Sequence, residues 1–162
     1  LPTIKKVELS EKIPDEVNVH QNAVIFFLSD FLNQILKNES QQVALYQEIK
    51  FFKQKILDKK MHAHYFFLIR MLQFFGISPL VSEEKFLNIE KGIFQEEIAQ
   101  KEVDEELSFL WKKILDKEIE EDFIIEKKSR KPLLDSILQY YKTHFPEFYA
   151  PKSLPVILEV FE

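Results

Sequence analysis

Apolar residues recur at three- and four-residue spacing along most of this chain. Val24, Phe27, Leu28, Phe31, Leu32, Ile35 and Leu36 form one stripe and predict a helix from about Asn18 to Lys37. Turn formers at Asn38 to Ser40 end it. Leu45, Ile49, Phe52 and Ile56 predict a second helix over roughly Gln41 to Asp58, with Lys50, Lys53 and Lys55 largely off the stripe. A third, about His62 to Phe75, is apolar nearly all round through Tyr65-Phe66-Phe67-Leu68-Ile69 and Met71-Leu72. Such a helix is surrounded by others, so it belongs at the centre of a bundle. Gly76 is its expected stop, and Pro79 follows.

The helical period is lost over residues 77–95. Lys85 to Ile89 and Ile93 to Gln95 flank Glu90-Lys91-Gly92, which predicts a short hairpin with Gly92 at positive φ. A two-stranded ribbon is not stable alone and must lie on the helices. Leu107, Leu110, Trp111 and Ile114 predict a helix from about Val103 to Lys117, with Asp104, Glu105 and Glu106 in its first turn, where acids favour the helix dipole. Glu118 to Lys128 has no clear pattern. Ser129 is the expected N-cap of the next helix, with Pro132 in its first turn and Pro146 at its end. Leu133, Leu134, Ile137, Leu138, Tyr141 and Phe145 form its apolar side. A last short helix follows Ser153, with Ile157, Leu158 and Phe161 inward. The predicted fold is mainly α, a compact bundle of about six helices with one short β-ribbon. Leu1 to Pro14 has no helical period and reads as an extended lead-in.

Composition narrows the options. Among 162 residues, Phe occurs 16 times and Gly twice, which supports a large aromatic core and argues against many-stranded barrels and Gly-rich phosphate loops. Zero Cys excludes disulfides, thiolate zinc and cysteine nucleophiles. It also fits a reducing compartment, and the expected location is cytoplasmic. The net charge of -5 is unlike that of a free-standing nucleic-acid binder. Residues 83–126 form an acidic belt with 15 acidic and 6 basic side chains, between two mildly basic parts. Apolar runs fall short of a membrane span, and Leu1 to Val7 is not a secretory signal. The start at Leu1 reads as a fragment whose N-terminal part is missing.

No catalytic constellation emerges, so the chain is expected not to be an enzyme, and no cofactor is implied. His62 and His64 would point about 200° apart on a helix, so they cannot share one ion, and capping or surface roles are expected instead. Glu118, Glu120, Glu121 and Asp122 could seed a divalent-cation site, but the spacing fits a solvated face better. Most Phe residues lie on apolar stripes. Tyr140, Phe148 and Tyr149 are the expected exposed exceptions, near Arg130, Lys131, Lys142, His144 and Lys152. This aromatic and basic set could hold an acidic, hydrophobic peptide, or be an ordinary solvated helix face.

Three segments in order are similar to one family. They are His64 to Leu72 leading into Phe75-Gly76-Ile77-Ser78-Pro79, then Phe86 to Phe94, then Leu133-Leu134 through Tyr140-Tyr141-Lys142-Thr143-His144-Phe145-Pro146-Glu147-Phe148 with Lys152-Ser153-Leu154 and Val160-Phe161. Together they resemble the C-terminal helical part of RecO, the bacterial recombination mediator of DNA repair. The last string is the most specific. The resemblance implies a missing N-terminal OB domain that binds and anneals DNA, and a helical domain over residues 15–162. That domain would contact RecR and hold the acidic tail of single-stranded DNA-binding protein. Lys142, His144 and Lys152 follow from the matching string as a polar binding rim; Arg130 and Lys131 are added from charge. Many RecO-like chains carry a four-Cys zinc module where Leu80 to Gln95 stand here, and this chain cannot. The alternative reading is direct binding of single-stranded DNA through the basic C-terminal surface.

Overall fold

Asn18 opens the first helix, α1 (Val19–Ile35), with a reciprocal cap. Its side-chain oxygen accepts the Gln21 N–H at 2.8 Å, and the Gln21 side chain accepts the Asn18 N–H at 2.9 Å. The computed structural model describes residues 17–37, 39–40, 42–60, 62–116 and 123–161. The expected lead-in over Leu1 to Pro14 lies outside them, as do Glu118, Glu120, Glu121 and Asp122. The Gln21 amide then donates to the Ile56 and Leu57 carbonyls at 3.0 and 2.9 Å. These carbonyls end α2 (Val43–Leu57), where that of Ile56 also accepts the Lys59 N–H at 3.0 Å. Lys59, just beyond, takes a φ of 61° without being glycine.

Helix α3 (Ala63–Phe74) is the central one. Tyr65, Phe67, Leu68, Ile69, Met71 and Leu72 are all buried, and the helix packs against α2, α4 and α5. It ends as expected. Gly76 has a φ of 70°, its N–H reaches the Gln73 carbonyl, and the Ile77 N–H reaches that of Leu72 at 3.0 Å.

Strands β1 (Phe86–Asn88) and β2 (Ile93–Gln95) form the expected antiparallel ribbon, with Leu87 opposite Phe94. The ribbon lies on α4 (Glu105–Leu115), where the Ser108 hydroxyl accepts the Leu87 N–H at 2.9 Å. Asp104 caps α4 by accepting the Leu107 N–H at 2.9 Å.

Helix α5 (Lys127–His144) starts two residues before the expected Ser129. Ser129 is buried inside the helix, and its hydroxyl donates to Glu106 of α4 at 3.0 Å rather than capping. Pro132 therefore stands in the second turn, on the exposed side. The helix ends before Pro146 as expected. Its two adjacent tyrosines fasten two different neighbours. Tyr140 donates to the Ile77 carbonyl at 2.8 Å, and Tyr141 to that of Leu68 at 2.6 Å. Burial pushes the Tyr140 hydroxyl up to about 12 and raises that of Tyr141 well above its ordinary value. Helix α6 (Leu154–Phe161) returns along α1, and Ser153 ties its start to Asp30 through its N–H and hydroxyl at 3.1 and 3.0 Å. One apolar cluster runs from Val24 to Phe161 through all six helices and the ribbon.

Gly92 has a φ of 63°, and a Cβ there would sit 2.7 Å from the Tyr140 hydroxyl. Gly76 has an equally positive φ but open space around a Cβ. Gly92→Ala is expected to lower stability by about 2–3 kcal/mol, of which the left-handed backbone accounts for about 1–2 and the displaced Tyr140 hydrogen bond for about 1. Gly76→Ala should show the backbone part alone. Urea unfolding of both variants checks this, and equal losses would exclude the Tyr140 contact as a contributor.

Candidate partner-binding surface

Helix α5 carries four of the five basic residues expected at a binding rim, but it spreads them out. At 1.5 Å per residue, Arg130 and Lys142 are about 18 Å apart along the helix. The structure brings Arg130 and Lys131 together. Both line a shallow groove with Tyr65 of α3, Leu134 of α5, and Ile157, Leu158 and Phe161 of α6. The Arg130 Nε donates to the Ile125 carbonyl at 3.1 Å, which holds the guanidinium stem in place. Lys131 pairs with Asp135 one turn on at 3.0 Å, both about half exposed, so the pair is weak and can be exchanged for another anion.

The other three residues lie elsewhere. Lys142 is exposed near the far end of α5, and Lys152 is exposed just before α6. His144 turns inward. Its Nε2 meets the Ile89 carbonyl at 2.6 Å, and its ring stacks on Tyr140 at 4.2 Å. It joins the ribbon to α5.

Two aromatic expectations need correction. Tyr140 is buried because the ribbon and Trp111 cover a second side of α5 that the helical stripe does not reveal. Phe148 is buried because Glu147, at a φ of 63°, bends the chain so that the ring packs on Phe31 and Tyr141. Tyr149 is exposed as expected. Other exposed rings lie where no site was expected: Phe26 on α1, Tyr46 and Phe51 on α2, and Phe109 on α4.

His62 and His64 are also corrected. Both are buried rather than at the surface, and His62, though it stands at the N-cap of α3, makes no side-chain cap hydrogen bond. His62 Nδ1 accepts the Ile125 N–H at 3.1 Å and so fixes the chain entering α5. The Nε2 atoms of both rings find no partner among the described residues. Burial, then the charge of His62 and of Arg130, pushes His64 down to about 3. Burial and Arg130 also lower His62, with the Phe123 backbone opposing. The rings are therefore neutral and stand behind the groove, with His64 packed on Tyr65 and Phe161. Among the described residues no cluster of His, Cys, Asp or Glu could hold a metal ion, and no helix is long and apolar enough to cross a membrane.

No family model and no solved structure matches the chain. Curated proteins do. The chain is 28% identical over 149 residues to the DNA repair protein RecO of Christiangramia forsetii, covering 86% of this chain and 61% of that protein. It is 25% identical over 154 residues to the RecO of Flavobacterium psychrophilum, covering 89% and 63%. It is 27% identical over 155 residues to the RecO of Azobacteroides pseudotrichonymphae, covering 90% and 64%.

The chain is similar to RecO over most of its own length. It spans less than two thirds of the length of each of these proteins. The RecO resemblance carried by the three segments is thus matched across most of the chain. All three of those segments supply the lock between ribbon and helix. Ile77 and Gly92 meet Tyr140, and Ile89 meets His144. Part of the Tyr-Tyr-x-x-His-x-Pro-x-Phe string therefore has a packing role in this chain. The groove at Arg130 drew on charge alone in the sequence. Its floor comes from three helices far apart in the chain.

Proposed function

We propose that the chain is the helical, non-catalytic domain of a RecO-like recombination mediator in DNA repair and serves as a scaffold and protein-binding module. On this reading residues 15–162 form one domain, working in the cytoplasm beside an OB domain that binds and anneals DNA. Its partners are a RecR-like protein and the acidic tail of single-stranded DNA-binding protein. The observation that carries the binding role is the groove, a narrow one, where two cations, Arg130 and Lys131, stand over the buried Tyr65, Leu134, Ile157 and Phe161 and the half-buried Leu158. That arrangement suits a peptide with carboxylates beside apolar side chains.

Titration of the intact chain with a labelled peptide rich in Asp and ending in apolar residues tests this, with a RecR-like protein titrated in parallel. Lys131→Glu with Arg130→Gln is expected to weaken peptide binding about tenfold or more, the worth of a charge-assisted hydrogen bond. Lys142→Glu with Lys152→Glu should leave it nearly unchanged. Loss of binding only in the second pair would move the site to the far end of α5. Binding to neither partner by the intact chain would overturn the protein-binding role. The competing reading, single-stranded DNA on the C-terminal surface, draws on the exposure of Lys142, Tyr149 and Lys152. It requires oligonucleotide binding that the second pair abolishes.

A further inference from the structure

We propose that the strand edge at Leu80 and Val81 is a docking site for an extended segment of another protein that carries Lys or Arg among apolar residues. The ribbon has a third member. Leu80 bridges Ile93 in parallel, and its N–H donates to the Gly92 carbonyl at 2.9 Å. Successive residues of a strand turn their N–H and C=O groups to opposite edges. Leu80 faces β2, so Val81 faces away from it. The Val81 N–H and C=O have no hydrogen-bond partner among the described residues. The other edge of the ribbon is closed, because the Leu87 and Ile89 N–H groups are taken by Ser108 and Gln100. At the open edge the side chains are bare as well, Leu80 at 73% and Val81 at 59% exposure. An unpaired edge with exposed apolar side chains is a template for one more strand.

The surrounding charge selects the partner. Phe86 pairs with Gln95 at the end of the ribbon away from its turn. Glu83 and Glu84 arrive there just before β1, and Glu96 and Glu97 leave there just after β2. All four are exposed, and none forms an ion pair with a described residue. The Gln95 amide donates to the Glu97 carbonyl at 2.9 Å and keeps it at this end, and Ile98, also exposed, follows. The lysines of this end are engaged. Lys85 lies 3.9 Å from Glu105, and Lys112 stands over the Phe94 ring at 4.9 Å while donating to the Glu84 carbonyl. Lys91 lies in the turn at the opposite end, and so does Lys101, next to Gln100, which accepts the Ile89 N–H. A second copy pairing edge to edge would set these carboxylates against their own kind. Nucleic acids and anionic bilayers are repelled for the same reason. A strand alternating basic and apolar residues satisfies the backbone edge, Leu80 and Val81, and the carboxylates together.

The test uses fluorescence anisotropy of the intact chain with a labelled, end-capped peptide, Lys-Val-Lys-Val-Lys-Val. A second peptide has Glu for every Lys. A third is N-methylated at alternate residues, which keeps its charge and side chains but stops it adding as a strand. The Lys-Val peptide should bind at low salt and weaken as salt rises. The Glu peptide should not bind, and N-methylation should weaken binding about tenfold or more. Val81→Pro removes the outward N–H and leaves the Leu80 pairing, a change that edge strands tolerate, and should weaken binding about fivefold. Glu83→Gln, Glu84→Gln, Glu96→Gln and Glu97→Gln combined should weaken it about tenfold at low salt and flatten the salt dependence. All five positions are exposed, and circular dichroism verifies that the variants fold. Neither variant should alter titration of the acidic peptide, so this edge and the α5–α6 groove can fail separately. No binding of the Lys-Val peptide at low salt overturns the proposal. Equal binding of the N-methylated peptide overturns it too, leaving charge attraction alone. So does full binding by both variants, which puts the peptide elsewhere. Dimerisation abolished by Val81→Pro assigns the edge to a second copy instead. Calcium binding abolished by the glutamine changes, without peptide binding, assigns the carboxylates to a metal ion instead.

Discussion

Phe31→Ala is expected to lower the unfolding free energy by about 3–5 kcal/mol, the range for removing a fully buried aromatic ring. Phe31 has no exposed surface. Its ring meets Phe67 of α3, Tyr141 of α5 and Phe148 beyond α5, all edge-on, at centroid distances of 6.4, 4.9 and 6.1 Å. Three separate pieces of chain therefore converge on one side chain of α1. Those neighbours are themselves held, Tyr141 by its hydrogen bond to Leu68, so the cavity cannot collapse freely. Domains of this size have about 5–15 kcal/mol in total, so the variant should be marginal at 37 °C. Phe31→Leu, which keeps most of the volume, should cost much less. Urea denaturation of both variants checks the ordering. A loss under about 1 kcal/mol for the alanine would mean that the ring is not the centre of the core.

The second large effect is acid destabilisation through His64. The folded pKa is lowered to about 3, whereas the unfolded chain protonates this residue near its ordinary 6.5. Below that value the unfolded state binds a proton that the folded state refuses. Stability is therefore fully present above about pH 6.5 and falls as pH drops from there toward about 3. At 1.36 kcal/mol per unit, the loss between pH 6.5 and 4.5 is about 2 kcal/mol. His62 acts in the same direction. The cause is geometric, since a cation at His64 would be buried between Tyr65 and Phe161 and repelled by Arg130. His64→Phe removes the titration and keeps a ring in the space. Unfolding free energies of wild type and variant should diverge steadily below pH 6.5, with the wild type falling faster. Parallel curves would rule His64 out as the source.

These two sites also mark where the sequence could be read and where it could not. The stripe containing Phe31 is local and periodic, so α1, α2, α3, α4 and α6 are legible within a residue or two of their ends. Gly76 and Gly92 are legible too, because positive φ at a helix stop or a turn has a strong glycine preference. The start of α5 is not, because the hydroxyl of Ser129 is taken by Glu106, a partner 23 residues away. Positive φ at Lys59 and Glu147 carries no residue signature. The burial of His62 depends on Ile125, and that of Tyr140 on a ribbon that only the fold lays across it. For the five basic residues expected at a binding rim, the type is legible in the sequence and the grouping is not. Arg130 and Lys131 gain a shared groove only when α3 and α6 arrive. Lys142 and Lys152 remain apart from it, and His144 is committed to Ile89.

Gln21 sits at one of these long-range junctions. Its amide oxygen completes the start of α1 while its amide nitrogen holds the last carbonyls of α2. Helix ends usually fray independently, each at its own small free-energy cost. Here one side chain stands at both ends, so neither can open without releasing the other. The seam between α1 and α2 thus behaves as one cooperative unit, in which a local fluctuation at residue 18 is felt at residue 57.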